Sequence, residues 1–502
     1  MKRIRRPYRL SFEVLWQRLS FCPMLLLLIP FVGGILLTEY LLLPSVAVVA
    51  MLCVVVVVGY FARRSRVAIA YIAMAMLCVG YLMVEWRRPR ASMPYDRSVE
   101  MEIDVVGMPT SRDGYRVAEG RVVLYRDGEA WFRADDKVQL LLYADRLRTG
   151  DRVVVWGEVS NTMSGYEDYA RLLRHRGYVG SVAINDANIV GMGSAKRNML
   201  HRRAVAKLES YGTDSLSRAT MESMIVGERY LMPHTLREAY ASTGLSHLLA
   251  VSGLHLGIVM VVAAALMLPL KAFNRGHRIV VLISIAAAWL FASMSGMSPS
   301  AVRAAMMFSI LQYAHHTSLQ RFSLNTLVFV LLVMLAYRPS YLYDVSFQLS
   351  ALAVAGILLW ARPVVGSVSA LYPMCRVAVA TVVVPIVSTL WTLPVVSCTF
   401  GNIPFSGVVI TPMVMMLAYM IVGCGIFILL LSPPLSLPFV LIGEWIAAVQ
   451  NYVVCWAVER GITGVDYKAT VGEGLLCYAI YGAITLVALS FKSKNSNFVM
   501  VC

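Results

Sequence analysis

The side chains in this sequence that could do chemistry are a few polar groups set within long apolar stretches. Placing such a group in hydrocarbon is costly unless a partner or water meets it. The densest set lies in HLLAVSGLHLG, His247 to Gly257. His247 and His255 could face a wet cavity. As metal ligands they lack a nearby carboxylate, and their spacing is not a zinc signature. Ser252 and His255 stand three residues apart, a spacing that one helix face can bring together. A nucleophilic serine needs its base within about 2.6–3.2 Å. That leaves an intramembrane hydrolase open, although no oxyanion hole is legible. Gly253 and Gly257 form a small-xxx-small pair, which favours close helix packing.

Three further polar groups follow. Arg303 sits in SPSAVRAAMM, and Asp344 and Gln348 sit in YLYDVSFQLS. An Arg and an Asp in apolar surroundings suggest an ion pair or the lining of a polar pathway. The alternative is that each snorkels to an interface. Pro385, Pro394, Pro404 and Pro412, with Gly401, punctuate one late stretch and predict discontinuous helices around a pathway. There is no G-x-x-x-x-G-K-[ST], no H-E-x-x-H and no C-x-x-C. A P-loop, a zincin site, a zinc ribbon and a thioredoxin motif are thereby excluded. No cofactor and no metal are expected, and catalysis is not the leading reading.

The elements that must hold these groups are membrane helices. Of 502 residues, 58% are hydrophobic and only 15% are charged. A soluble chain carries about a quarter charged residues. Apolar runs near 20 residues recur, each long enough for about 30 Å of hydrocarbon. The expected class is a polytopic α-helical membrane protein with about twelve apolar segments, some short enough to be re-entrant. Residues 1–90 would form an N-terminal anchor with three spans, Phe21–Thr38, Leu41–Phe61 and Val67–Val84. The first run lacks a cleavage site and reads as an uncleaved anchor. Lys and Arg clusters before it and at Arg63, Arg64 and Arg66 belong inside. The same rule puts both termini in the cytoplasm and accounts for most of the net charge of +16 without nucleic acid.

Residues 91–200 differ. Val99, Met101, Ile103 and Val105 alternate with Glu100, Glu102 and Asp104, the period of a half-buried strand. Further strands are predicted at Arg121–Tyr125, Val138–Tyr143, Gly150–Val159 and Tyr178–Ile184, with a turn at Asp127-Gly128. Short strands in this number predict a small inserted extracytoplasmic β-barrel, OB-like in type. Residues 201–243 mix Arg and Lys with apolar positions, as interfacial helices do. Residues 244–502 would supply nine segments, from Leu245–Leu270 and Ala301–Ala314 through to Leu475–Leu489.

Met221 to Met260, MESMIVGERYLMPHTLREAYASTGLSHLLAVSGLHLGIVM, resembles the signature region of ComEC-type competence proteins. SPSAVRAAMM, RPSYLYDVSFQLSALAVAGI and TLPVVSCTFGNIPFSG resemble later blocks of that family, in the same order. LRTGDRVVVWGEVS, followed by SGYEDYARLLRHRGYVGSV, resembles the end of its pre-channel domain. The resemblance implies an OB-like domain ahead of an inner-membrane channel that passes single-stranded DNA inward during transformation. It carries pathway interest to His247, Ser252, Gly253, His255, Arg303, Asp344 and Gln348. Besides the lipid bilayer and the DNA strand, it implies an outer DNA receptor and a cytoplasmic DNA-translocating motor. The metallo-β-lactamase-like domain of many members has no counterpart in this sequence, so a separate nuclease is the expectation. A transporter of another polymer or of a lipid-linked envelope precursor stays open, since a fold does not fix a function.

Overall fold

The computed structural model describes residues 23–492, apart from 42, 63–66, 89–91, 95–96, 107–108, 113–114, 144–146, 148–149, 161–172, 175, 195–198, 212–214, 229–230, 250, 274–275, 317–322, 372–375 and 404. The basic N-terminal cluster, Arg63 to Arg66, the stretch Ser164–Tyr169 and Pro404 therefore lie outside the described residues. The chain begins with helices α1 (Pro23–Tyr40), α2 (Ser45–Phe61) and α3 (Ala68–Trp86). Strands β1 (Ser98–Val105), β2 (Thr110–Arg112), β3 (Tyr115–Asp127), β4 (Ala130–Leu142), β5 (Asp151–Glu158), β6 (Gly180–Ile184) and β7 (Ile189–Ser194) follow. Next come α4 (Met199–Glu209), α5 (Ser215–Ile225), α6 (His234–Ser242), α7 (Gly253–Leu266), α8 (Gly276–Met294), α9 (Pro299–His316) and α10 (Ser323–Tyr337). Then α11 (Val345–Gly356) runs through a π-helical turn, Ile357–Ala361, into α12 (Arg362–Leu371). The last elements are α13 (Arg376–Phe400), β8 (Asn402–Ile403), α14 (Phe405–Leu430), α15 (Leu437–Glu459), β9 (Val465–Asp466) and α16 (Val471–Lys492).

Among the described residues, seven helices are long and apolar enough to cross a membrane. They are Pro23–Tyr40, Ala68–Trp86, Gly276–Met294, Val345–Val368, Arg376–Phe400, Ile410–Leu430 and Leu437–Glu459. Four more apolar helices are shorter, among them α2 and α7. The chain is thus a multi-pass membrane protein, with seven full-length and four shorter apolar helices among the described residues.

Two compact units divide the chain. One unit is 1–88 with 317–342 and 492–502, so α10 packs on α1 rather than on its sequence neighbours. Its tightest crossing is α1 on α3. A Cβ at Gly34 would collide with Leu77 O, and one at Gly80 with Phe31 O. Only glycine on both sides lets the two backbones approach this closely. Tyr81 then ties the loop after α1, accepting the Leu43 N–H at 2.7 Å and donating to Leu41 O at 3.0 Å.

The other unit holds the sheet and the remaining helices. The sheet order is β6–β4–β3–β1–β5–β7, with β2 on β3, and only β4–β6 is parallel. Just past β5, Ser160 exchanges hydrogen bonds of 3.0 and 3.1 Å with Ser181 of β6. This bridge joins the ends of the β6–β4–β3–β1–β5 series. Alternation drives the layer: Met101, Ile103, Val122, Val138, Leu140 and Val153 are fully buried on its inner face. Asp127 pairs with Ala130 across a two-residue turn whose Gly128 takes φ +66°. The turn stands where the Asp-Gly signal predicts it. β2 and β7 lie beyond the strands that alternation marked. Asp104 is buried and held by both forks of Arg152, at 2.6 and 2.9 Å, which pushes the guanidinium's pKa further up.

In the helical part, α5 is enclosed rather than lying open. Thr220, Ser223 and Met224 are fully buried. Gly425 of α14 makes room for Ile225, and Gly443 of α15 makes room for Met221. Lys207 of α4 donates to Leu429 O and Leu431 O at 3.0 and 2.7 Å, meeting the orphan carbonyls at the end of α14.

Two expectations need correction. Leu245–Leu270 is not one helix, because Gly244 (φ +74°) turns the chain after α6 and α7 starts only at Gly253. Conversely, Pro385 and Pro394 do not interrupt α13, which runs unbroken from Arg376 to Phe400. The break comes at Gly401, where φ is +69°. Pro394 deprives Leu390 O of its helical N–H. Tyr481 of α16 supplies the missing donor with its hydroxyl, at 3.2 Å.

Candidate functional site

The start of α7 gathers most of the predicted polar residues. Leu245, Leu248, Leu249 and Val251 are buried and pin an irregular segment between α6 and α7. Ser252 sits in extended backbone, φ −106° and ψ 167°, as an N-cap residue does. His255 occupies the third helical position and completes a capping box. The Ser252 N–H donates to His255 Nδ1 at 3.0 Å, and Ser252 Oγ lies 2.7 Å from the same nitrogen. Nδ1 is therefore the acceptor, and the ring proton belongs on Nε2. His255 is buried, while His247 is exposed and donates from Nδ1 to Gly244 O at 3.1 Å. No group of three or more His, Cys, Asp or Glu that could hold a metal occurs among the described residues.

Helix α9 packs across this start. A Cβ on Gly253 would lie 3.2 Å from Ala304 Cβ and 3.7 Å from Arg303 Nη2, and one on Gly257 would lie 3.6 Å from Phe308 Cζ. Both glycines thus face α9, the close approach their spacing suggests. Arg303 is 4% exposed, and its Nε and Nη1 are buried without a hydrogen-bond partner. It does not snorkel to an interface, and it makes no ion pair with Asp344 among the described residues. Asp344 is instead the N-cap of α11, accepting the Phe347 N–H at 3.1 Å. Gln348 stands one turn on, with its N–H on Asp344 O at 3.0 Å. The α11 and α9 helices meet through Ser350 and Ser300, whose hydroxyls are 3.0 Å apart. The structure therefore brings Ser252, Gly253, His255 and Arg303 together, and sets Asp344 and Gln348 at a separate helix start.

Sequence reading missed two buried polar groups. In one, Tyr240 of α6 donates to Asn451 Oδ1 at 2.9 Å and accepts from Gln450 Nε2 at 2.9 Å. Thr220 of α5 donates to the same Asn451 oxygen at 3.0 Å. In the other, His201 donates from Nδ1 to Met294 O at 2.6 Å and brings Nε2 within 3.3 Å of Glu228. The signal for the first was present: Gln450-Asn451 interrupts the apolar run Leu437–Glu459. His201 and Glu228 sit in mixed, amphipathic sequence where nothing marks them as buried.

Residues 224–493 match the family described as Competence, competence protein. Over 134 residues the chain is 28% identical to the ComE operon protein 3 of Bacillus subtilis (strain 168), a stretch covering 27% of this chain and 17% of that protein. Over 182 residues it is 27% identical to the uncharacterized protein YcaI of Escherichia coli (strain K12), covering 36% of this chain and 24% of that protein. The matched stretches thus span about a quarter or less of these relatives. No solved structure matches the chain.

Proposed function

Because this chain belongs to the competence protein family, we propose that it forms the passage through which single-stranded DNA crosses the inner membrane into the cytoplasm during natural transformation. The carrying observation is the family match over 224–493, which includes α7, α9, α11 and five of the seven spanning helices in full. The strand order, the parallel β4–β6 pair and the Ser160–Ser181 bridge support an OB-like domain that would receive the strand outside the membrane. A DNA receptor outside, a translocating motor in the cytoplasm and a separate nuclease would complete the process.

A second reading has one specific support. The 2.7 Å approach of Ser252 Oγ to His255 Nδ1 suits an intramembrane hydrolase. A serine-directed probe that labels the wild type and not Ser252→Ala would favour it. A transporter of an envelope polymer would show itself as a defect in envelope synthesis.

The deciding experiment compares labelled DNA in a nuclease-protected cytoplasmic pool between a deletion strain and the same strain with the gene restored. The channel reading expects import to return with the gene while DNA still binds outside the deleted cells. Equal import in both strains, with import demonstrably active, sinks it.

A further inference from the structure

Helix α7 begins with a positive end, because its first N–H groups have no intrahelical acceptors. The Ser252–His255 capping box answers part of this need, and the first turn carries no acidic residue. Arg303 brings a full positive charge to the same place. Its Nη2 would be 3.7 Å from a Cβ on Gly253, the first residue of the helix. The side chain is 96% buried, from an exposure of 4%, and Nε and Nη1 have no partner. Two positive elements thus face one another with no carboxylate between them among the described residues. A buried cation left this way is strongly unfavourable unless an anion joins it. Ser252 and Gly253 stay partly exposed, so the spot is reachable from one side.

We propose that Arg303 and the N-terminus of α7 form a seat for a single phosphodiester of a passing DNA strand. This rests on the transport reading above. A guanidinium offers a planar fork of donors that suits two phosphate oxygens, and helix N–H groups suit a third contact. One phosphate at a time, held without contact to bases, lets a strand of any sequence step past. A phospholipid headgroup carries the same phosphodiester, so the test has to separate the two sources.

The full chain is purified and placed in nanodiscs of phosphatidylcholine. Two fluorescent single strands of one sequence are titrated, one with phosphodiester linkages and one with uncharged methylphosphonate linkages. Arg303→Gln is expected to weaken the charged strand roughly tenfold or more, while the uncharged strand is unaffected. Arg303→Lys is expected to recover part of the loss. Gly253→Ala, which keeps the charge but sets a methyl beside Nη2, is expected to give the same selective loss and serves if Arg303→Gln does not fold. Unchanged affinity in all three variants, or equal losses on both strands, overturns the seat. Loss of one co-purified phospholipid without any change in strand affinity assigns the seat to lipid and overturns the DNA assignment. If the restored strain imports no DNA, yet inorganic phosphate raises the melting temperature of the wild type and not of Arg303→Gln, the seat stands and the transport reading falls.

Discussion

Tyr481 donates its hydroxyl to Leu390 O at 3.2 Å, the carbonyl that Pro394 strips of its helical partner. A residue four positions past the carbonyl removes a donor, and a neighbouring helix returns one. A double-mutant cycle should expose this dependence. Tyr481→Phe is expected to cost about 0.5–1 kcal/mol of stability in detergent. In a Pro394→Ala background the cost should vanish, because the Ala N–H restores the bond within α13. Equal costs in both backgrounds would mean that the tyrosine acts by packing alone.

Tyr240 holds Gln450 and Asn451 together in a buried layer between α6 and α15. Tyr240→Phe keeps the ring and removes the one hydroxyl that both amides use. The expected loss is about 1–3 kcal/mol, since the amides would stay buried with fewer partners. Thermal unfolding measures it. A midpoint within error of the wild type would show that the amides find other partners.

Asp344 has two separable duties to test. As an N-cap it needs only an acceptor oxygen, and Asp344→Asn keeps one. Asp344→Ala removes the cap and should lower stability by about 1 kcal/mol. If the carboxylate also lines the pathway, Asp344→Asn should import less DNA at unchanged stability. Normal import by Asp344→Asn would reduce the residue to its capping duty.

At the α1–α3 crossing, Gly34→Ala and Gly80→Ala each put a methyl into a backbone carbonyl, which has no rotamer to yield. Each is expected to destabilise by roughly 1–3 kcal/mol. Gly33→Ala is the control, since a Cβ there meets nothing within 4 Å. Matching melting temperatures for all three variants would refute the close crossing.

Local pattern was legible where a single period decides the element. The alternation from Val99 to Val105 gave β1, and Asp127-Gly128 gave the hairpin. The apolar runs near 20 residues gave the spanning helices, because length and hydropathy alone decide them. Prolines misled for a physical reason. Their local effect is to break a helix, and only a tertiary partner such as Tyr481 reverses it. The apolar run extends past the start of α7 because Leu245–Val251 continues it, while the positive φ of Gly244 belongs to the three-dimensional turn. At the site, residue types marked Ser252, His255 and Arg303 as unusual. Their meeting was not legible, since Arg303 reaches α7 from another helix.

The grouping of α10 with α1 and α3 bears on the order of biogenesis. These helices are synthesised before the sheet, yet the partner that completes their unit leaves the ribosome only after the sheet and six more helices. Until then the early helices wait in the bilayer with an unfilled face. Domains usually fold as they emerge. Here closure of the first unit is a late event, so a ribosome that stalls before α10 would leave an incomplete membrane intermediate for quality control to recognise.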